Sequence, residues 1–462
     1  MARLMNWVRC RCLARDRQTS SQCQPAKSAA RAGPQGAGGR MKCRQSPARV
    51  PFQPRASGTS TEDPMNTILR LAALLVLLLA AALPFGALKA ADPPVVIGLV
   101  IPLSPPGDPT AGQLIRRGAE LAVDHINGPM GGVIDGRKVA LSVQDSQGRT
   151  EGGVAAYRRL VSEERAAAVT GFFHSSVNLA ANEVAKELGV PTLGTQTSAA
   201  DITAKHYDVA FRTHVIDPVR TAAWLDFIKA RNFKKVSLLA ETTDYGIGLL
   251  TETEQQSKER KLGIELQTIT FDHGTTDLTP LLLQVKAFKP DLIINVGVGQ
   301  PMDLMLEQAA TLGLTPQTPM LVSYDAPIRP QFWQLHPKTG DKLYFIAYYS
   351  PKQKLSEEGA AFAKAYEEKY KESPVYSSLN GFGDVLIIAQ ALNQAKSADP
   401  MALIRALETG RFKSWTAAPV TFPRAEGVFF HNWSPPVLIL QYTAPGQDWK
   451  EAAVVVEHAG SQ

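Results

Sequence analysis

The residues of this chain best suited to chemistry are hydroxyls gathered in two turns. Ser175 and Ser176 follow Thr170-Gly171-Phe172-Phe173-His174, the end of a short apolar run, and lead into a helical pattern from Asn178 to Leu188. Gln196, Thr197 and Ser198 follow a second apolar run, Val190–Leu193, and lead into Ala199–Thr203. Each set sits where a strand ends and a helix begins. Backbone N–H groups there lack intrahelical partners, and the helix dipole favours negative charge. A serine in such a place is most often only a helix cap. Two such turns in consecutive strand–helix units say more, because open α/β sheets bind ligands beyond the carboxyl ends of their strands. The chemistry on offer is reversible capture of a small anion.

Other chemistry finds little support. The sequence holds no His-Glu-x-x-His, no Gly-x-Ser-x-Gly and no Walker lysine loop. Gly297-Val298-Gly299 follows a strand but lacks the third glycine of a dinucleotide loop. His174 abuts Ser175, yet adjacent residues of an extended chain point apart, so His174 reads as a cleft contact rather than a base. The histidines have no ligand spacing. The four cysteines, Cys10, Cys12, Cys23 and Cys43, all precede residue 64, and Cys10-Arg11-Cys12 lacks the spacing of a zinc site. An enzyme, a metal site and a cofactor are therefore not expected. Asn432-Trp433-Ser434 fits a glycosylation sequon, but Trp433 and Trp415 read as packing residues.

Length and charge set the frame. A chain of 462 residues exceeds one comfortable core and predicts two or three domains. The net charge of +6 is uneven: residues 1–64 carry 12 Lys and Arg against Asp16, Glu62 and Asp63, whereas residues 91–462 sum to −5. The basic character belongs to the leader and gives no reason to expect nucleic-acid binding by the rest. Residues 1–64 mix arginine with Ser, Gly, Pro and Gln and show no apolar period, as a disordered leader or a mis-called start would. Residues 65–90 then read as a signal peptide: a short n-region with Arg70, an apolar run Leu71–Leu83, Pro84, and Leu88-Lys89-Ala90 before cleavage. The run is short for a membrane span, and Met65 is the expected true start. The exported part has no cysteine and must rely on its core rather than on disulfides.

Elements that would position the turns alternate from Val95 onward, which predicts parallel sheets built from strand–helix units. One series comprises strand Val95–Leu103, helix Gly112–Asn127, strand Lys138–Asp145, helix Glu151–Glu164, the two hydroxyl turns, and strand Val209–Thr213. A second series runs from helix Pro218–Arg231 through strands Val236–Glu241, Glu265–Phe271, Asp291–Val296, Met320–Ser323 and Leu343–Ala347. The tail holds helices Ser356–Tyr370, Ser378–Gln394 and Met401–Leu407, then β-like segments Val420–Phe422, Val437–Tyr442 and Ala452–Val456.

With these motifs in place the chain resembles the periplasmic leucine/isoleucine/valine-binding proteins that serve ABC importers. The resemblance rests on Val96–Ser104, Arg117–Asn127, Gly131–Arg137, Gly171–Ala181, Gly189–Leu193, Phe211–Thr213 and Asp244-Tyr245-Gly246, in that order and spacing. It implies an α/β fold of two doubly wound, Rossmann-like lobes with a three-crossing hinge, the type I periplasmic-binding fold. The crossings fall near Thr213–Asp217, Phe345–Tyr348 and Phe430–Ser434. The N-lobe would be 94–213 plus 348–431, and the C-lobe 214–347 plus 432–457. By the same resemblance Ser175, with Ser176 beside it, binds a ligand α-carboxylate. Thr197 and Ser198 contact carboxylate and ammonium, Gln196 beside them also borders the ligand, and Tyr245 closes over it. Asp325 pairs with the ammonium, or Tyr324 takes its place if the register slips by one. Two family aromatics are missing, at Ala111 and at Gly297-Val298-Gly299-Gln300, and Phe172 and Phe173 are the candidates to compensate, one of them being equally suited to the core.

The expected function is that of an extracytoplasmic solute receptor. It would bind a branched-chain amino acid or related small carboxylate in the cleft by hinge closure and deliver it to an ABC permease in the inner membrane. A monomer in the periplasm is expected. The alternative is a ligand sensor or regulator of the same fold, responding to an amide or carboxylate.

Overall fold

The computed structural model describes residues 92–458 except Pro351, together with Gly460 and the helical positions Met65, Ile68, Leu69, Ala72 and Ala73. The expected leader, and the expected signal peptide apart from those five positions, lie outside the described residues. No helix among the described residues is long and apolar enough to cross a membrane.

Two sheets organise residues 92–458. The first contains β1 (Val95–Ile101), β2 (Val139–Asp145), β3 (Ala168–Phe172), β4 (Thr192–Gly194) and β5 (Ala210–Arg212), all parallel in the order β2-β1-β3-β4-β5. The second contains β6 (Lys235–Glu241), β7 (Glu265–Phe271), β8 (Leu292–Val296), β9 (Met320–Val322), β10 (Tyr344–Ala347), β11 (Val437–Gln441) and β12 (Ala453–His458). Its order is β12-β11-β10-β9-β8-β6-β7, parallel except where β11 pairs with β10 and β12. Strands covered by helices on both faces must be apolar throughout, and β3 and β8 are buried at every residue.

The helices follow their local signals. α1 (Pro109–Asn127) starts with Pro at its first position and Asp108 accepting from the Ala111 N–H at 3.0 Å. Leu114, Ile115, Ala119 and Ala122 form its buried stripe. α2 (Thr150–Ser162) and α3 (Ser175–Leu188) follow β2 and β3. α4 (Asp201–Ala204) is a single turn, α5 (Asp217–Ala230) precedes β6, and α6 (Asp244–Glu259) follows it. α7 (Thr279–Phe288), α8 (Gln300–Thr311) and α9 (Phe332–Leu335) complete the second series. In the tail, α10 (Glu357–Tyr370), α11 (Tyr376–Ala395) and α12 (Pro400–Thr409) return to the first sheet, where α11 packs on α1 and β3. A Cβ at Gly118 would lie 2.0 Å from the Ser378 carbonyl, so the α1–α11 crossing needs glycine there.

Two expectations about elements change. Val420–Phe422 is not a strand: Val420 forms only an isolated bridge with Phe412. Pro419 and Pro423 flank it, and a residue without an N–H cannot extend a ladder. The short helices α4 and α9 carry no amphipathic period and went unread.

Candidate functional site

A cavity of about 560 Å³, part of it open to solvent, lies between the two sheets. Nearly all of its walls follow the carboxyl ends of strands. Phe173, His174, Ser175 and Ser176 follow β3, Gln196 follows β4, and His214 follows β5. From the second sheet come Glu241 at the end of β6, His273 after β7, Val298 after β8, Tyr324 after β9 and Tyr348 after β10. Arg220 and Tyr245 reach in from α5 and α6. In each sheet the strand order reverses here, between β1 and β3 and between β6 and β8, where a crevice must open. Gly171 has φ of 92° and the β3–β4 register shifts beside it, a bulge that re-aims the residues after β3.

Ser175 opens α3 and is buried. Its Oγ accepts from the Ser198 and Ala199 N–H groups at 3.2 and 3.3 Å, which leaves its own proton to donate into the cavity. Ser175→Ala should therefore lower stability as well as ligand affinity. Stranding two buried N–H groups costs about 1–3 kcal/mol each, so we expect about 2 kcal/mol less in urea unfolding. Unchanged stability would mean that water replaces Oγ. Gln196 is buried with Oε1 unpartnered, and Ser176 Oγ accepts from the Asp244 N–H at 3.1 Å.

The charged lining residues are ordered by directional hydrogen bonds. Arg220 is buried and donates to Tyr245 Oη at 3.0 Å and to His214 Nε2 at 2.9 Å. Arginine only donates, so Nε2 accepts and Nδ1–H of His214 points to Tyr376 Oη, 2.9 Å away. Burial and then Arg220 hold His214 well below the usual imidazole range, hence neutral. Arg220 Nε has no partner, and among the described residues no carboxylate lies within ion-pair distance of the guanidinium, although Asp217 and Asp325 favour its charge from farther off. His273 is the opposite case. Nδ1 faces Glu241 Oε2 at 3.0 Å and Nε2 faces the Pro106 carbonyl at 2.9 Å. Two acceptors demand two donors, so His273 is an imidazolium paired with Glu241. The hydrogen bond to Glu241 raises its pKa. Glu241 also accepts from Val298 N–H and Thr243 Oγ1. His174 has both ring nitrogens buried without partners, and burial pushes it down to about 4.

Further contacts cross the cleft. The His273 bond to Pro106 joins the β7 side to the loop after β1. In the same loop Asp108 receives Arg329 Nη1 at 2.7 Å, with both side chains buried. Arg329 lies over the Tyr324 and Phe173 rings at 5.3 and 5.9 Å. Direct contacts thus join the two sides of the cleft.

Of the residues expected at a site, Ser175, Ser176, Gln196, Tyr245 and Tyr324 border the cavity. Thr197, Ser198 and Asp325 do not. Thr197 Oγ1 donates to Asn178 Oδ1 at 2.9 Å, and the Ser198 backbone N–H donates to Ser175 Oγ. Asp325 is fully buried behind the lining with neither carboxylate oxygen hydrogen-bonded. Its neighbour Tyr324 takes the cavity side, its hydroxyl accepting from Gly299 N–H at 2.9 Å. Phe173 lines the cavity while Phe172 is core. Arg220, His214, Glu241, His273 and Tyr348 were missed. A signal existed for Arg220, which shares a helical face with buried Trp224 and Phe227.

Comparison with known proteins fits this geometry. Residues 94–435 match the family described as periplasmic binding protein. The Leu/Ile/Val-binding protein homolog 7 of Brucella suis is 25% identical over 350 residues, covering 72% of this chain and 85% of that protein. A leucine binding protein, LivK, from Thermotoga maritima superposes with a TM-score of 0.68 at 21% identity, over 79% of this chain and 99% of that one. A solute binding protein of an R. palustris ABC transporter, in complex with benzoate, gives a TM-score of 0.68 at 20% identity, over 80% and 97%.

Proposed function

Because the chain belongs to the periplasmic binding protein family, we propose that it is an extracytoplasmic solute receptor delivering a small carboxylate to an ABC permease in the inner membrane. Members of this family bind substrates and are not enzymes. The cavity carries this reading: both sheets contribute its walls, so a solute held there favours the closed arrangement over an open one. Ser175 at the α3 N-terminus, Ser176, Gln196, Tyr245 and Tyr324 are the contacts we assign. The crossings near Thr213–Asp217, Phe345–Tyr348 and Phe430–Ser434 serve as the hinge between a 94–213 plus 348–431 lobe and a 214–347 plus 432–457 lobe. The solute is a branched-chain amino acid or a related acid, in keeping with the leucine-binding and benzoate-bound relatives. Residues 65–90 export the chain to the periplasm, where it works as a monomer.

Thermal unfolding against a panel of amino acids and small carboxylates tests the reading. A solute at a hundredfold excess over its dissociation constant should stabilise the protein by about 2.7 kcal/mol. No shift with any compound of either class would sink it.

A further inference from the structure

The charges around the cavity select among carboxylates. Resting on the reading that this cavity holds the solute, we infer that the solute is an organic acid without an ammonium group, its negative charge met by Arg220 and its apolar body held by Phe173, Tyr245, Tyr324 and Tyr348. Arg220 lines the cavity fully buried, with Nε free and only neutral acceptors, Tyr245 and His214, on its other nitrogens. A buried cation without an anion is costly, and an incoming carboxylate removes that cost.

Asp217 and Asp325 favour the charge on Arg220, but neither hydrogen-bonds it, so no carboxylate of the protein touches the guanidinium among the described residues. Glu241 is already paired with the His273 imidazolium and accepts two further hydrogen bonds. His174 and His214 are neutral. Asp217, three residues before Arg220, has both oxygens without a hydrogen-bond partner and borders a second, more open cavity that Asp201, Asp244 and Glu252 also line. It also lies within electrostatic reach of a second buried guanidinium, Arg212, which has no carboxylate of its own. Asp325 is buried behind the lining without a donor, a setting that favours its neutral form.

An α-amino acid fits this set poorly. Its carboxylate could meet Arg220, but it brings an ammonium with it, and Glu241, the carboxylate on the cavity wall, is already paired with His273. Asp325, where the ammonium was expected, does not reach the cavity. An amine-free acid satisfies Arg220 and asks for nothing else.

Calorimetry on the purified chain, with compounds matched but for the amine, decides this. 4-Methylpentanoate should bind at least about thirtyfold more tightly than leucine, and 3-phenylpropanoate likewise than phenylalanine, as expected for one buried charge contact made or lost. Arg220→Gln should weaken the amine-free acid by at least about thirtyfold, with Arg220→Lys intermediate. Circular dichroism confirms that each variant is folded, and the wild-type comparison stands even if a variant is not. Amino acids binding as tightly as their amine-free partners would overturn the inference and leave the receptor reading intact. So would an unchanged affinity in folded Arg220→Gln. Silence of both compound sets at millimolar concentration would overturn both readings.

Discussion

Arg329→Ala should weaken solute binding by about two to three orders of magnitude while moving the melting point of the solute-free protein little. The Arg329–Asp108 pair is buried at 2.7 Å and bridges the segment after β9 to the loop after β1. Removing one member of a buried pair leaves the other uncompensated, at about 3–5 kcal/mol. Where that cost falls depends on whether the lobes can part. In an open form Asp108 meets water and the loss is small, so the penalty lands on closure and raises the apparent dissociation constant. Arg329 is the better target, because Asp108 also caps α1 through Ala111 N–H. Asp108→Asn combined with Arg329→Met should recover part of the affinity, since no charge is then stranded. A collapsed melting point with unchanged affinity would show that the pair belongs to the folding core and not to a latch.

The contrast between Ser175 and Arg220 shows which parts of the site were legible. Ser175, Ser176 and Gln196 announce themselves locally, since a polar turn between a strand and a helix is written in consecutive residues. Arg220, Glu241 and His273 become neighbours only through the order β7-β6-β8-β9, which no local pattern encodes. Glu241 looks like the polar end of an apolar strand, and His273 like an ordinary loop residue. The Tyr324–Asp325 choice was a register question: one residue decides which side chain meets the cavity and which is buried behind it. The fold itself was easier to read, because strands and helices alternate from Val95 to Ala347. The Val420 segment misled because its apolar residues pack as core without joining a sheet.

Asp384→Asn should stabilise the protein at pH 8 relative to pH 5 by about 3 kcal/mol compared with the wild type. Asp384 sits on α11, fully buried, and accepts from Thr195 and Thr213 hydroxyls at 2.6 Å each and from Thr170 at 3.2 Å. One carboxyl thus ties the returning helix to β3 and to the turns after β4 and β5. Burial lifts its pKa to about 7, against the three threonine donors, which pull it down. In the unfolded chain it titrates near 4. The folded state therefore holds the proton more firmly. Its contribution is fully present below about pH 4 and falls by about 1.4 kcal/mol per pH unit until it levels off near 7. Asparagine carries no titrating group, so this slope disappears while the amide still serves the hydroxyls. Asp217, raised to about 6 by burial, adds to the wild-type slope with the same sign. The difference between the two proteins cancels it and isolates Asp384. Urea unfolding of both at half-unit steps from pH 5 to pH 8 gives the measurement. Parallel curves would mean that Asp384 is ionised throughout and that the threonine hydroxyls, not a shared proton, hold α11 to the sheet.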